Sequence, residues 1–259
     1  MRGWRLEPAY AHLRAEFGTL DAVFALQGER LTQDPKSEVI RVERAGVRYY
    51  VKRYGAGVGT PKNWRRHWGR YLRLALLAYL PRPRVKAEWQ NLKQFGKWGI
   101  PIPEIVACGM ERRYGAFWRG ALITRELPAT EDLATLARRH DPRLSDPVWV
   151  AEISQQVATY TRILHAHHFI HNDLKWRNIL VDPERRVYFI DCPWGGYWFG
   201  PLLAYRIVKD LATLDKVAKQ HLSNRQRLRF YLQYRQQKRL TPADKDCIRR
   251  IVHFFEDSA

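Results

Sequence analysis

The segment His171-Asn172-Asp173-Leu174-Lys175-Trp176-Arg177-Asn178 constrains this chain more than any other. Ile179-Leu180-Val181 follows at once. After the turn Asp182-Pro183-Glu184-Arg185 comes Val187-Tyr188-Phe189-Ile190, which runs into Asp191. Short apolar runs bounded by turn residues read as strands. Upstream, Pro147 to His168 carries a helical pattern. Chance rarely assembles a helix, a polar loop and two short strands that end on an acid.

The loop resembles the catalytic loop of the protein-kinase-like superfamily, H-x-D-L-x-x-x-N, in its spacing and in the strand that follows. That resemblance implies phosphoryl transfer. The reaction needs a carboxylate near the attacking hydroxyl, and Asp173 fits that need. It also needs hard oxygen ligands for Mg²⁺, and the side-chain oxygen of Asn178 qualifies. The resemblance implies that Asp173 is the catalytic base and that Asn178 and Asp191 hold the metal. Lys175 would neutralise charge on the transferred group. At the position of the kinase D-F-G motif the chain has Asp191-Cys192-Pro193. Proline fixes φ near −65°, so a flipping activation switch is not expected there.

Further residues fall in the family's order. Glu38 to Glu43 and Val47 to Tyr54 alternate about the turn Arg44-Ala45-Gly46, which reads as a hairpin. Lys52 near its end resembles the strand lysine that holds the α- and β-phosphates. Glu88, on an amphipathic helix expected over 85–98, is its candidate ion-pair partner. Ile123 to Leu127 resembles the hinge, whose backbone at Glu126 and Leu127 would read adenine. Taken alone, Lys52 is an ordinary solvated strand lysine and Glu88 says little. In order with Asp173, Asn178 and Asp191 they acquire meaning. His165, His167, His168 and His171 could suggest a metal site, but His165 and His171 have structural roles in kinase-like folds. No G-x-G-x-x-G precedes Lys52, so the stretch from Gln27 to Lys36 must supply the phosphate-covering turn.

Elsewhere, residues 1–20 read as helical or irregular and Ala22 to Leu26 as a short strand. Thr130 to Arg139 and most of Pro201 to Phe255 read as helical. The fold class is therefore α+β: a two-lobed protein-kinase-like fold with a β-rich N-lobe over 1–127 and a helical C-lobe over 128–259. The N-lobe would carry one long helix and a basic insert over 55–86.

Composition bounds the partners. The formal net charge is +19, which calls for a polyanionic neighbour. No Asp or Glu occurs between Glu43 and Glu88, and the insert contains Arg65, Arg66, Arg70 and Arg73 among Trp, Tyr and Leu residues. Basic and aromatic residues followed by an apolar run suit an anionic membrane surface; a buried helix with a solvated basic face is the plainer reading. No run of ~18 apolar residues suggests a membrane span, and the first eight residues do not read as a secretory signal. Three scattered cysteines form neither a disulfide framework nor a zinc motif, so a cytoplasmic location is expected.

Little chain lies between Asp191 and the helix resuming near Leu202, too little for a peptide-docking platform. Asn172 also stands where protein kinases carry an arginine for activation-loop phosphate. Together with Tyr50-Val51-Lys52, Ala87-Glu88-Trp89, Gly99 to Glu104 and Lys209-Asp210-Leu211, these points resemble the lipopolysaccharide core kinase family, the WaaP/InaA group. The resemblance spans roughly residues 38–215. It implies ATP-dependent, Mg²⁺-assisted phosphorylation of a heptose or Kdo of the lipopolysaccharide inner core, peripherally at the cytoplasmic face of the inner membrane. Asp210 would brace the catalytic loop. The rival readings are a RIO-type atypical protein kinase, an aminoglycoside-type phosphotransferase, and a non-catalytic kinase-like module on an anionic partner. Nucleic acid is not the expected partner.

Overall fold

The computed structural model describes residues 3–34, 37–55 and 83–256. Arg65, Arg66, Arg70 and Arg73 lie outside them. The chain divides into two units, one of Met1–Gln90 with Pro103–Glu126 and one of Asn91–Ile102 with Leu127–Ala259.

Unit 1 is built on a six-stranded antiparallel sheet of order β1-β5-β6-β4-β3-β2. Its strands are β1 (Gly3–Leu6), β2 (Glu29–Asp34), β3 (Ser37–Arg44), β4 (Val47–Gly55), β5 (Ile105–Arg113) and β6 (Ala116–Arg125). The hairpin expected about Arg44-Ala45-Gly46 is β3–β4, in register from Ser37↔Tyr54 to Arg44↔Val47. Side chains alternate across a strand. Tyr49, Val51 and Arg53 therefore face one side of β4, where Val51 joins Phe17, Val23, Val106 and Ile123 in the core. Lys52 and Tyr54 face the other side.

The expected strand at Ala22 to Leu26 is instead a helix, α2 (Leu20–Ala25), after the short α1 (Arg14–Phe17). Thr19 caps it by accepting a hydrogen bond from the Ala22 N–H at 3.1 Å, and Leu20 and Val23 bury one face. A short apolar run does not separate helix from strand by periodicity; the cap decides. Arg53 then fixes the segment, donating to the carbonyls of Val23 (3.0 Å) and Leu26 (2.6 Å) and pairing with Glu38 at 3.1 Å. The stretch after Gln27 is largely strand. β2 pairs with β3, with a register shift between Arg30 and Thr32. Gly28 is required there, because a Cβ would lie 2.4 Å from the Arg41 carbonyl oxygen.

Helix α3 (Arg84–Lys97) runs from unit 1 into unit 2. Unit 2 is mainly helical, with α4 (Leu133–Arg138), α5 (Pro147–Ala166), α6 (Gly200–His221), α7 (Asn224–Arg235) and α8 (Pro242–His253). Its strands are short: β7 (Glu131–Asp132), β8 (Phe169–Ile170), β9 (Ile179–Val181), β10 (Val187–Phe189) and β11 (Gly196–Tyr197). Asp146 caps α5 by accepting from the Val148 N–H at 2.8 Å, with Pro147 at the first turn. Ser223 and Thr241 open α7 and α8 with capping boxes. The α+β class expected from the sequence is the one observed.

Candidate active site

In unit 1 the strand period places Lys52 opposite the start of α3. Its Nζ lies 3.0 Å from Glu88 Oε2 and 3.1 Å from Oε1. Glu88 is buried, and the Tyr54 hydroxyl also donates to it. A buried carboxylate is costly unless paired and hydrogen-bonded; here Lys52 and Tyr54 supply both. Sequence reasoning missed Tyr54, although it stands two residues from Lys52 on the same face.

Glu126 follows β6. Its carboxylate accepts from the Tyr50 hydroxyl at 2.7 Å and lies 3.4 Å from Arg48. Burial, with the Glu126 hydrogen bond and charge beside it, pushes the Tyr50 phenol up to about 12. The Glu126 N–H donates to the Arg48 carbonyl at 2.9 Å. In unit 2 the Leu127 carbonyl accepts from the Thr130 hydroxyl at 2.9 Å.

The loop of unit 2 is fixed from behind. Asp210, on α6, is buried, and its two oxygens accept from the backbone N–H groups of His171 (2.8 Å) and Asn172 (3.0 Å). The brace expected of Asp210 is thus present. Leu174 and Trp176 anchor the loop in the core, and the Trp176 indole donates to the Leu214 carbonyl at 3.0 Å. His165 Nε2 lies 3.5 Å from Asp210, and its Nδ1 meets the Tyr234 hydroxyl at 2.9 Å.

Asp173 is gripped on every side. Lys175 Nζ lies 2.6 Å from Oδ1 and Arg177 3.3 Å from Oδ2. The Asn178 amide donates to Oδ2 at 3.2 Å and to the Asp173 carbonyl at 2.8 Å. Burial alone would raise the Asp173 carboxyl, but the Lys175 hydrogen bond and charge, with Arg177 and Asn178, hold it below the ordinary carboxylate range. With its nitrogen on Asp173, Asn178 keeps its amide oxygen for a ligand. The Asn178 carbonyl accepts from the Ile190 N–H at 3.0 Å, which sets the residue before Asp191 against it. Asp191 has a φ of 55°, the left-handed region that Asp tolerates better than most residues. Burial holds the His171 imidazole below its ordinary value, against the opposing charges of Asp210, Asp191 and Asp173. These three carboxylates therefore all act on one buried ring.

The segment after Asp191 is tied down as well. The Asn91 side chain on α3 donates to the carbonyls of Cys192 (2.8 Å) and Gly195 (3.1 Å). Cys192 is buried, and a Cβ on Gly195 would lie 2.4 Å from its sulfur. Asn172 donates to the Trp194 carbonyl at 2.8 Å and accepts from Arg206 at 3.0 Å. Asn91 and Arg206 escaped the sequence reading, because a polar residue that binds backbone carries no motif.

Among the described residues, no group of three or more His, Cys, Asp or Glu side chains is placed to hold a metal. The candidate donors are instead the Asp191 carboxylate and the Asn178 amide oxygen. That hard-oxygen set suits Mg²⁺, which takes one or two protein carboxylates and completes its shell with phosphates and water.

An α+β chain with a lysine–glutamate pair in its sheet unit and a braced Asp173–Asn178 loop in its helical unit has a protein-kinase-like fold. It superposes on the solved structure of WaaP in complex with acyl carrier protein with a TM-score of 0.70, covering 100% of this chain and 98% of that one at 22% identity. The family model of the Lipopolysaccharide kinase (Kdo/WaaP) family matches residues 36–234, and the chain belongs to that family. It is 28% identical over 108 residues to the 3-deoxy-D-manno-octulosonic acid kinase of Vibrio vulnificus, a match of 42% of each chain. To the lipopolysaccharide core heptose(I) kinase WaaP of Pseudomonas aeruginosa it is 25% identical over 182 residues, 70% of this chain and 65% of that one. The chain thus spans less than half the length of the octulosonic acid kinase it matches.

Proposed function

We propose that this chain transfers the γ-phosphoryl group of ATP to a hydroxyl of a lipopolysaccharide inner-core sugar, a heptose or Kdo, at the cytoplasmic face of the inner membrane. The observation that carries this reading is the loop itself. Asp173 is kept ionised by Lys175, Arg177 and Asn178, on a backbone braced by Asp210. An ionised carboxylate orients the acceptor hydroxyl and takes its proton as the bond to phosphorus forms. Lys175 turns from Asp173 to the transferred group as charge develops there. Lys52, oriented by Glu88, holds the α- and β-phosphates. The backbone at Glu126 and Leu127 meets adenine, with the carbonyl of Glu126 as acceptor, since its N–H is engaged. Asn178 and Asp191 would hold Mg²⁺, which when bound neutralises phosphate charge.

We propose a second partner from the solved WaaP structure, which is in complex with acyl carrier protein. Unit 2 contains an apolar cavity of about 270 Å³ lined by Trp149, Ile153, Leu211, Leu214, Phe230 and Ile251. It has the chemistry to admit an acyl chain. Arg225 and Arg229 on α7 supply positive charge to its surroundings, whereas Arg227 is paired with Asp215 at 2.6 Å.

Incubation with labelled ATP and dephosphorylated core lipopolysaccharide tests the reading: label enters the glycolipid. Asp173→Ala lowers that rate by about a thousandfold, within the range of general-base contributions, with the circular dichroism spectrum unchanged. Full activity in that variant would remove Asp173 from the mechanism. Transfer to protein rather than glycolipid would redirect the acceptor assignment.

A further inference from the structure

Unit 2 carries an exposed apolar surface that the proposed chemistry does not use. Tyr197 is 54% exposed, Phe199 67%, Leu202 60% and Tyr205 49%. Four large apolar side chains so exposed within nine residues depart from the scattered exposure normal on a protein surface.

Three segments build this surface. β11 pairs with β8, setting Tyr197 opposite Phe169. The Trp198 N–H donates to the His168 carbonyl at 2.9 Å, and His168 meets the Phe199 ring at 5.6 Å. Trp98, at the end of α3, stacks on His167 at 4.3 Å and meets the edge of Tyr197 at 6.4 Å. Leu202, Tyr205, Arg206 and Lys209 then share one side of α6 by helical spacing. The surface is therefore ordered, not a frayed loop.

Charge selects the occupant. The segments 91–102, 166–172 and 192–209 contain Lys93, Lys97, Arg206 and Lys209 and no Asp or Glu. Tyr and Trp favour the head-group level of a bilayer, Phe and Leu enter the acyl boundary, and Lys and Arg meet anionic head groups. We propose that the face of Tyr197, Phe199, Leu202 and Tyr205, with Lys97 next to Trp98 and Lys209 one turn along α6 from Tyr205, seats on the surface of an anionic lipid bilayer. This deepens the reading of the chain as an enzyme of a lipid-linked acceptor, and rests on that reading for its purpose. Asn172 connects the surface to the loop, since it bonds both the Trp194 carbonyl and Arg206 and immediately precedes Asp173. Seating this face would bring a membrane-borne sugar to the loop that carries Asp173.

The test uses the full chain and vesicles of phosphatidylglycerol with phosphatidylethanolamine, without nucleotide or acceptor. The unmodified chain sediments with them, and its amides over 194–205 gain protection from hydrogen exchange. The double variant F199S/L202S partitions about tenfold or more weakly, while its transfer to a delipidated, water-soluble core oligosaccharide is retained. Unchanged partitioning of the double variant overturns the proposal, as does unchanged exchange over 194–205 in the unmodified chain. So does a concentration-dependent dimer that the double variant abolishes, which would assign the face to a second copy. If the unmodified chain binds vesicles but transfers no phosphate, the kinase reading alone fails, because the vesicle assay contains neither substrate.

Discussion

Lys52 is held by side chains, whereas the loop of Asp173 is held through its backbone. In unit 1 the ammonium rests on Glu88, and Glu88 rests on the Tyr54 hydroxyl. The strand beneath is secured separately, by its pairing with β3 and β6. In unit 2 the Asp210 carboxylate takes two main-chain N–H groups that otherwise have no partner in the loop's own turn. The first arrangement tunes a charge on a strand that would stand without it. The second determines the path of the chain that presents the carboxylate. Disturbing one should change binding, and disturbing the other should change folding and rate together.

The sharpest break in that comparison is Asp210→Ala. It leaves one buried and one half-buried N–H group unpaired and should cost about 3 kcal/mol of stability, since each buried unsatisfied group costs roughly 1–3 kcal/mol. Chemical denaturation reads the cost, and phosphoryl transfer should fall with it. Retention of full stability would mean that the loop does not depend on its brace. Glu88→Gln is the counterpart in unit 1. It removes the charge but leaves a group for Tyr54 and a Lys52 side chain that still reaches solvent, so the unfolding free energy should fall by about 2 kcal/mol, below the roughly 3–5 kcal/mol of a fully buried pair. The Michaelis constant for ATP should rise by about tenfold, as a misplaced Lys52 loses its phosphates.

Lys175→Met has the smallest expected effect on stability and the most specific effect on rate. Lys175 is the foremost influence that lowers Asp173 against burial. Without it the carboxyl rises, so the acid limb of the pH–rate profile should move to higher pH. In the unmodified chain the grip on Asp173 stabilises the fold above the ordinary carboxylate range. That contribution is lost as the pH falls through the lowered value. An unmoved acid limb would show that another group sets it.

Much of this is legible in the sequence, and the illegible parts share a cause. His171 to Asn178, the strands β9 and β10, and Asp191 could be read because local spacing and period-2 alternation determine them. The β3–β4 hairpin was readable from its turn and alternation. By contrast, β1 and β5 take their meaning from pairing with each other across about a hundred residues, from Gly3↔Met110 to Leu6↔Ala107. Nothing local marks them. The segment over Ala22 to Leu26 reads as a strand because its five apolar neighbours fit both periods, and only Thr19 at the cap of the helix Leu20–Ala25 tips the balance. Within the candidate site, Lys52 and Glu88 are singled out by order along the chain, while Tyr54, Asn91 and Arg206 are not. Asn91 and Arg206 act on partners far away in sequence with no motif around them, whereas Tyr54 is marked only by its place two residues from Lys52 on the same strand face.

Asn91 carries one consequence beyond the site. Its amide joins the carbonyls of Cys192 and Gly195, so the turn after Asp191 is already set at rest. A segment that is ordered in advance surrenders little conformational entropy when a ligand arrives.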